Sequence, residues 1–116
     1  RVAKQINLYA IMRYNRIAWD FMVCVIGEKF LRQDMSFGRR DINLFFTELQ
    51  AKNDAVAQWS DGTVNKIKSV LTKILVETEY LDTVRSAELN PVFLSEEQGI
   101  RANHDFDALP AFYCFP

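Results

Sequence analysis

No Cys-x-x-Cys pair, no cluster of histidines and no glycine-rich loop occurs in this chain, and each absence removes a class of chemistry. The 2 cysteines, Cys24 and Cys114, stand ninety positions apart. That spacing makes neither a zinc-binding pattern nor a disulfide framework, and it suits a reducing cytoplasm. Cys24 falls within an apolar run, where a thiol is expected as a small core residue. The 4 glycines are scattered, so no phosphate loop and no nucleophile elbow is present. Long apolar runs are missing as well. The longest, residues 21–26, is closed by Asp20 and Glu28, whereas a membrane span needs roughly 20 apolar residues.

Histidine is nearly absent too. His104 is alone, beside Asp105 and Asp107 in N-H-D-F-D. A His/Asp pair is the start of a general base or of half a metal site. No nucleophile or further ligand is placed near it by spacing, so a solvated or capping histidine is the expectation. Glu96-Glu97 and Glu77/Glu79 are paired only in sequence. The expectation is a protein that is not an enzyme, with no cofactor, no metal and no small-molecule substrate.

What the chain does have is a core. Its 116 residues are 49% hydrophobic and 13% aromatic, enough for one globular domain spanning 1–116 and far from a disordered composition. It begins at Arg1 rather than at Met, so a fragment of a longer chain is expected. The net charge of −1 hides an uneven distribution: residues 1–76 hold 12 Lys/Arg against 7 Asp/Glu, and residues 77–116 hold 2 against 8. A basic working surface and an acidic C-terminal region follow from that split.

Hydrophobic spacing predicts a mainly α, compact helical bundle. Leu8, Ile11, Met12, Tyr14, Ala18, Phe21, Met22, Val25 and Ile26 recur at steps of three and four, giving one long helix or two nearly collinear ones over 4–32. At 1.5 Å per residue that element spans about 40 Å. Arg13, Arg16, Lys29 and Arg32 leave the stripe and are expected in solvent. Ser36 and Gly38 break the period. A second helix follows at about 39–51, burying Ile42, Leu44 or Phe45, Phe46 and Leu49. Asn53-Asp54 offers a cap for a short helix at 55–59. Ser60 or Asp61 caps a long helix to about 79, with Val64, Ile67, Val70 or Leu71, Ile74 and Leu75 as its buried stripe. Beyond it, residues 82–85 and 92–94 flank a Pro and an Asn and suggest two short strands or an irregular hairpin. A last helical turn is expected near 95–97, and the aromatic, proline-bearing end is expected to lie extended over the core. Trp19, Trp59, Phe45, Phe46 and Tyr80 have the spacing of core residues rather than of stacking platforms for single strands.

The order helix, short helix, long helix, hairpin matches a winged helix-turn-helix-like unit over about 39–94. A helix that enters a duplex needs short polar groups on its outer face and cations for phosphates. Asn65, Ser69 and Thr72 suit the first task, and Lys66, Lys68 and Lys73 the second. Thr63 and the free N–H groups at the helix start suit a phosphate. Arg39 and Arg40 open the preceding helix, and Arg85 lies near the hairpin. A plain solvated face explains three lysines equally well. No Arg stands on the outer face, and Arg is the commonest reader of guanine. Phosphate contacts with weak sequence preference are therefore expected.

The stretch L-Y-A-I-M-R-Y-N-R-I-A-W-D-F-M at 8–22, E-K-F-L at 28–31 and D-I-N-L-F-F at 41–46 resemble the BrxA-type small proteins of BREX phage-defence systems. The pattern Ser60-Asp61, Thr63, Lys66, Leu71, Ile74-Leu75, Glu77 and Leu81 is similar to that family's capped helix. The resemblance covers about residues 6–95. It implies an all-helical, NusB-like fold and non-enzymatic binding to double-stranded DNA in a bacterial defence complex, beside a methyltransferase and an ATPase. The inner-membrane label that members of the family have carried conflicts with the lack of a long apolar run, and no membrane is expected. Glu79-Tyr80 departs from it, standing where a Gly often closes the helix. Two other readings stay open: a protein–protein interaction module that docks through the acidic, aromatic C-terminal half, and an RNA-binding protein suggested by the NusB-like analogy.

Overall fold

Polar caps divide the chain into short helices. A computed structural model describes residues 7–91 and 96–115. Helix α1 (Leu8–Tyr14) ends at Asn15, which is extended at φ −136 and ψ 105. The Asn15 carboxamide accepts the N–H groups of Ile17 and Ala18 at 3.0 and 3.1 Å and so starts α2 (Arg16–Phe21). Asn favours such local bonds over helix continuation, so of the two readings of 4–32 the single long helix fails, and the stretch is divided at this position. Tyr14, expected in the apolar stripe, is exposed. Residues 4–6 of that expectation lie outside the described residues. The helix runs on as a π-helical stretch, Met22–Gly27, and then as α3 (Glu28–Leu31).

Helix α4 (Arg39–Lys52) starts where the Gly38 N–H donates to the Asp41 carboxylate at 2.9 Å. Asn53 caps the four-residue α5 (Asp54–Ala57), accepting from Ala55 and Val56. Ser60 caps α6 (Asp61–Glu77) through the Thr63 N–H at 3.2 Å. Of the open alternatives, Phe45 and Leu71 are buried, while Leu44 and Val70 are exposed. Helix α6 closes without glycine. Glu79 takes the left-handed φ of 71, the Tyr80 N–H donates to the Leu75 carbonyl and the Glu79 N–H to that of Val76. This is the double bond of a Schellman cap.

The segment after α6 corrects the expected wing. Residues 92–94 lie outside the described residues, and 82–91 forms no strand. The Phe37 N–H donates to the Ala87 carbonyl, the Leu89 N–H to that of Met35, and Ser36 and Glu88 form one antiparallel bridge. The segment pairs with the loop before α4 rather than with itself, because Thr83 and Ser86 close a tight turn early, at 2.9 Å between the Thr83 N–H and the Ser86 hydroxyl.

The end of the chain is also different from expectation. After α7 (Glu97–Ala102) it coils into a 3-10 helix, Phe106–Phe112, instead of lying extended. A 3-10 turn tolerates Pro110 because few of its N–H groups are needed. Ala108, Ala111 and Phe112 are fully buried against the π stretch. Gly27 permits this approach: a Cβ there would stand 3.4 Å from the Ala111 N and 3.3 Å from the Met22 carbonyl oxygen. Tyr80 seals the contact. Its hydroxyl donates to the Ala111 carbonyl at 2.7 Å, its ring stacks on Phe30, and burial pushes its ionisation well above the usual phenol range. Phe21, Phe30, Phe46, Leu75, Ile100 and Phe112 share one hydrophobic cluster, and the Cα radius of gyration is 13.9 Å. Among the described residues no helix is long and apolar enough to cross a membrane.

Candidate nucleic-acid interface

Helix α6 divides cleanly into two faces. Val64, Leu71 and Leu75 are buried, and the side that carries Asn65, Ser69 and Thr72 floors a groove of about 710 Å³. The first turn of α4 makes one wall, with Arg39, Ile42 and Asn43, and the 84–87 turn makes the other, with Arg85 and Ser86. Six of the ten candidate residues thus meet at one place: Arg39, Asn65, Lys68, Ser69, Thr72 and Arg85. The long-range pairing of 87–89 with 35–37 is what carries Arg85 to the groove.

Lys68 is fixed in position. Its ammonium donates to the Asn43 side-chain oxygen at 2.9 Å and lies 5.7 Å from the centre of the Phe46 ring. Neither partner is anionic, so the lysine's charge is left for a ligand. No acidic residue lines the groove, and among the described residues neither Arg39 nor Arg85 forms an ion pair. Thr72 turns its hydroxyl to the Lys68 carbonyl at 3.0 Å. Asn43 and Ser86 belong to the same lining and were missed in the sequence, where nothing marks which polar residues of α4 and of the turn would face α6.

The other four candidates lie apart from this groove. Arg40, Lys66 and Lys73 are exposed outside its lining. The Thr63 hydroxyl is taken up at the cap, 3.1 Å from that of Ser60.

Lys29 corrects a further expectation. It is buried at 6% exposure, not solvated, and its ammonium meets Asp34 at 3.3 Å and Asp41 at 3.2 Å. A buried ammonium needs such partners. Asp34 is held to about 2 by the Ser36 hydroxyl and N–H and by Lys29. Because Asp41 also accepts the Gly38 N–H, this cluster fixes the start of α4 and with it the wall that carries Arg39.

The remaining chemistry is sparse. Cys24 is exposed, not part of the core. Burial first, then the Asp20 charge, pushes its thiol up; Cys114 is pushed up by burial and by Glu97. Neither has the lowered ionisation of a reactive thiol. His104 is exposed with its ring edge-on to Phe106. Among the described residues no group of three or more His, Cys, Asp or Glu could hold a metal ion. Phe45, Phe46 and Tyr80 are buried, and Trp19 and Trp59 half-buried, as core residues should be.

Comparison with known proteins gives this architecture relatives. Residues 1–99 match the BrxA family model. The chain is 39% identical over 79 residues to the BREX protein BrxA of Bacillus cereus (strain H3081.97), which takes in 68% of this chain and 40% of that protein. It is 24% identical over 97 residues to the BREX protein BrxA of Paramagnetospirillum magneticum (strain ATCC 700264 / AMB-1), covering 84% of this chain and 49% of that one. The chain therefore spans less than half the length of these curated relatives. No solved structure matches it. On the strength of the family match, the chain belongs to the BrxA family.

Proposed function

We propose that the chain serves a BREX phage-defence system as a non-enzymatic accessory protein that binds double-stranded DNA, largely through the phosphate backbone. The observation that carries this reading is the gathering of Arg39, Lys68 and Arg85 around a groove that holds no carboxylate. These cations come from three separate segments, two of them brought together by long-range pairing. Such a concentration of one sign attracts a polyanion. Exposed Arg40, Lys66 and Lys73 extend the cationic supply beyond the groove. Asn43, Asn65, Ser69 and Ser86 offer hydrogen bonds, and the lack of a bidentate reader other than the two rim arginines favours weak sequence preference. The relatives' shared name supports the assignment to BREX and makes other BREX proteins its natural partners.

Binding to a labelled duplex across a range of salt concentrations tests the reading. If about five phosphates are neutralised, log K falls against log salt with a slope of about −4 to −5. Arg39→Glu with Arg85→Glu should abolish binding while the thermal melt is kept, since both side chains are exposed. A duplex affinity unchanged by that pair would refute the groove as the site. The docking alternative loses ground because Ala108, Leu109, Ala111 and Phe112 of the aromatic tail are turned inward.

A further inference from the structure

The groove is concave where a recognition helix should be convex. A helix about 10–12 Å across fills a major groove of about 12 Å, so the flanks of its reading face must be bare. Helix α6 does not meet that condition. Asn65, Ser69 and Thr72 lie between α4 on one side and the 84–87 turn on the other. A paired duplex needs both flanks of the helix free to bring its base edges to these residues. One unpaired strand does not. From these walls and this charge we infer that the groove takes a short unpaired segment of nucleic acid, so that the protein favours DNA with a locally opened stretch over fully paired DNA. The inference rests on the DNA-binding reading and names the form of DNA that the same site accepts.

Five features of the groove fit a single strand. Asn65 to Thr72 is seven steps along the helix, about 10 Å, a distance that about three phosphates cover at the stacked spacing of ~3.4 Å. Three cations stand around it: Arg39, Lys68 and Arg85. The polar floor offers both donors and acceptors, which suit the base edges that an unpaired strand exposes. Val84 lines the groove and is 61% exposed, an apolar contact for a base face that no protein group covers. Lys68 is already held by Asn43 and Phe46, so little side-chain freedom is lost when it meets a phosphate.

The test compares two labelled DNAs by fluorescence anisotropy at one salt concentration: a fully paired duplex, and the same duplex with a short central mismatch bubble. The whole protein is expected to bind the bubble about tenfold more tightly, the equivalent of one charge-assisted contact. Lys68→Met keeps the stem over Phe46 and removes the charge; Ser69→Asp puts a carboxylate on the exposed floor. Each should erase the bubble preference by weakening the bubble about tenfold more than it weakens the paired duplex. Lys66→Glu, outside the groove, should weaken both DNAs together. Equal affinity for the two DNAs, or a preference that survives Ser69→Asp, overturns the inference and leaves duplex binding standing. Binding to neither DNA defeats both. Displacement of the bubble by free nucleoside monophosphate as readily as by an oligonucleotide also overturns it, because the groove would then be a small-molecule site.

Discussion

Around Gly27 two segments of backbone come as close as their atoms allow; around Ser69 three segments are held apart. In the first region the tail's Ala111 and Pro110 sit against the π stretch, and Tyr80 bonds the Ala111 carbonyl. In the second, α4, α6 and the 84–87 turn leave a polar, cationic trough. The difference separates two uses of burial. Apolar contact near Gly27 stabilises the fold and leaves no surface for a ligand. The groove gives up that contact and keeps hydrogen-bonding groups and charge exposed. Substitutions in the two regions should therefore act on different measurements.

The sharpest separation comes from Phe112. Its ring is fully buried beside Gly27's neighbours, and Phe112→Ala should cost about 3–5 kcal/mol in urea unfolding. Total stability for a domain is about 5–15 kcal/mol, so the tail would be partly undocked at physiological temperature. A loss below about 1 kcal/mol would mean the tail is not integral to the core, and the contrast between the regions would fail.

Gly27→Val is the next probe. Its Cβ would meet the Met22 carbonyl oxygen at 3.3 Å and the Ala111 N at 3.4 Å, backbone atoms that cannot swing aside. Overpacking of this sort costs about 1–3 kcal/mol, read as a lower urea midpoint. DNA affinity of the folded fraction should be unchanged, because the groove lies on other elements. A selective loss of binding would show that the two regions are coupled.

These two positions also show what the sequence could and could not reveal. Helix α4 was expected at 39–51 and runs Arg39–Lys52; Asn53 and Ser60 cap as their side chains suggest. Caps and periodicity are local, so they are legible from neighbouring residues alone. Lys29 was misread as solvated because its partners, Asp34 and Asp41, come to it only through the fold. Cys24 was misplaced because an apolar run does not say which of its members faces out. The tail's two prolines suggested extension, yet Pro110 sits within a 3-10 turn. In the candidate site, the polar face of α6 was readable from spacing, and Arg39 and Arg85 from charge. The concavity was not, since it depends on the antiparallel bridge between Ser36 and Glu88.

The Lys29 cluster stands between the two regions, since it anchors the start of the groove's α4 wall from inside the core. Lys29→Met should cost about 1–2 kcal/mol, less than for a fully buried pair because both aspartates still reach water. Acid gives the same test without substitution. Asp34 is depressed from 3.8 to about 2 by the Ser36 hydroxyl, then the Ser36 N–H, then Lys29. A carboxylate held below its unfolded value contributes stability that is complete above that value and is lost as pH falls toward the folded one. Urea midpoints should therefore drop between about pH 4 and pH 2, and Asp34→Asn should flatten that part of the decline. An unchanged acid profile in the variant would show that the cluster does not hold the wall.

The smallest expected effect on stability falls on the groove floor, and it is the most direct test of the contrast. Asn65 and Ser69 are exposed and have no hydrogen bond to another side chain among the described residues. Replacing both with Ala removes no buried contact, and Ala favours the helix over Asn and Ser by a few tenths of a kcal/mol each. Urea stability should stay within about 0.5 kcal/mol of the parent, or rise slightly. DNA affinity should fall, because the floor then loses two of its hydrogen-bonding side chains between the rim cations. If stability fell while binding held, the polar face of α6 would be serving the fold, and the groove would be a gap in the packing rather than a site.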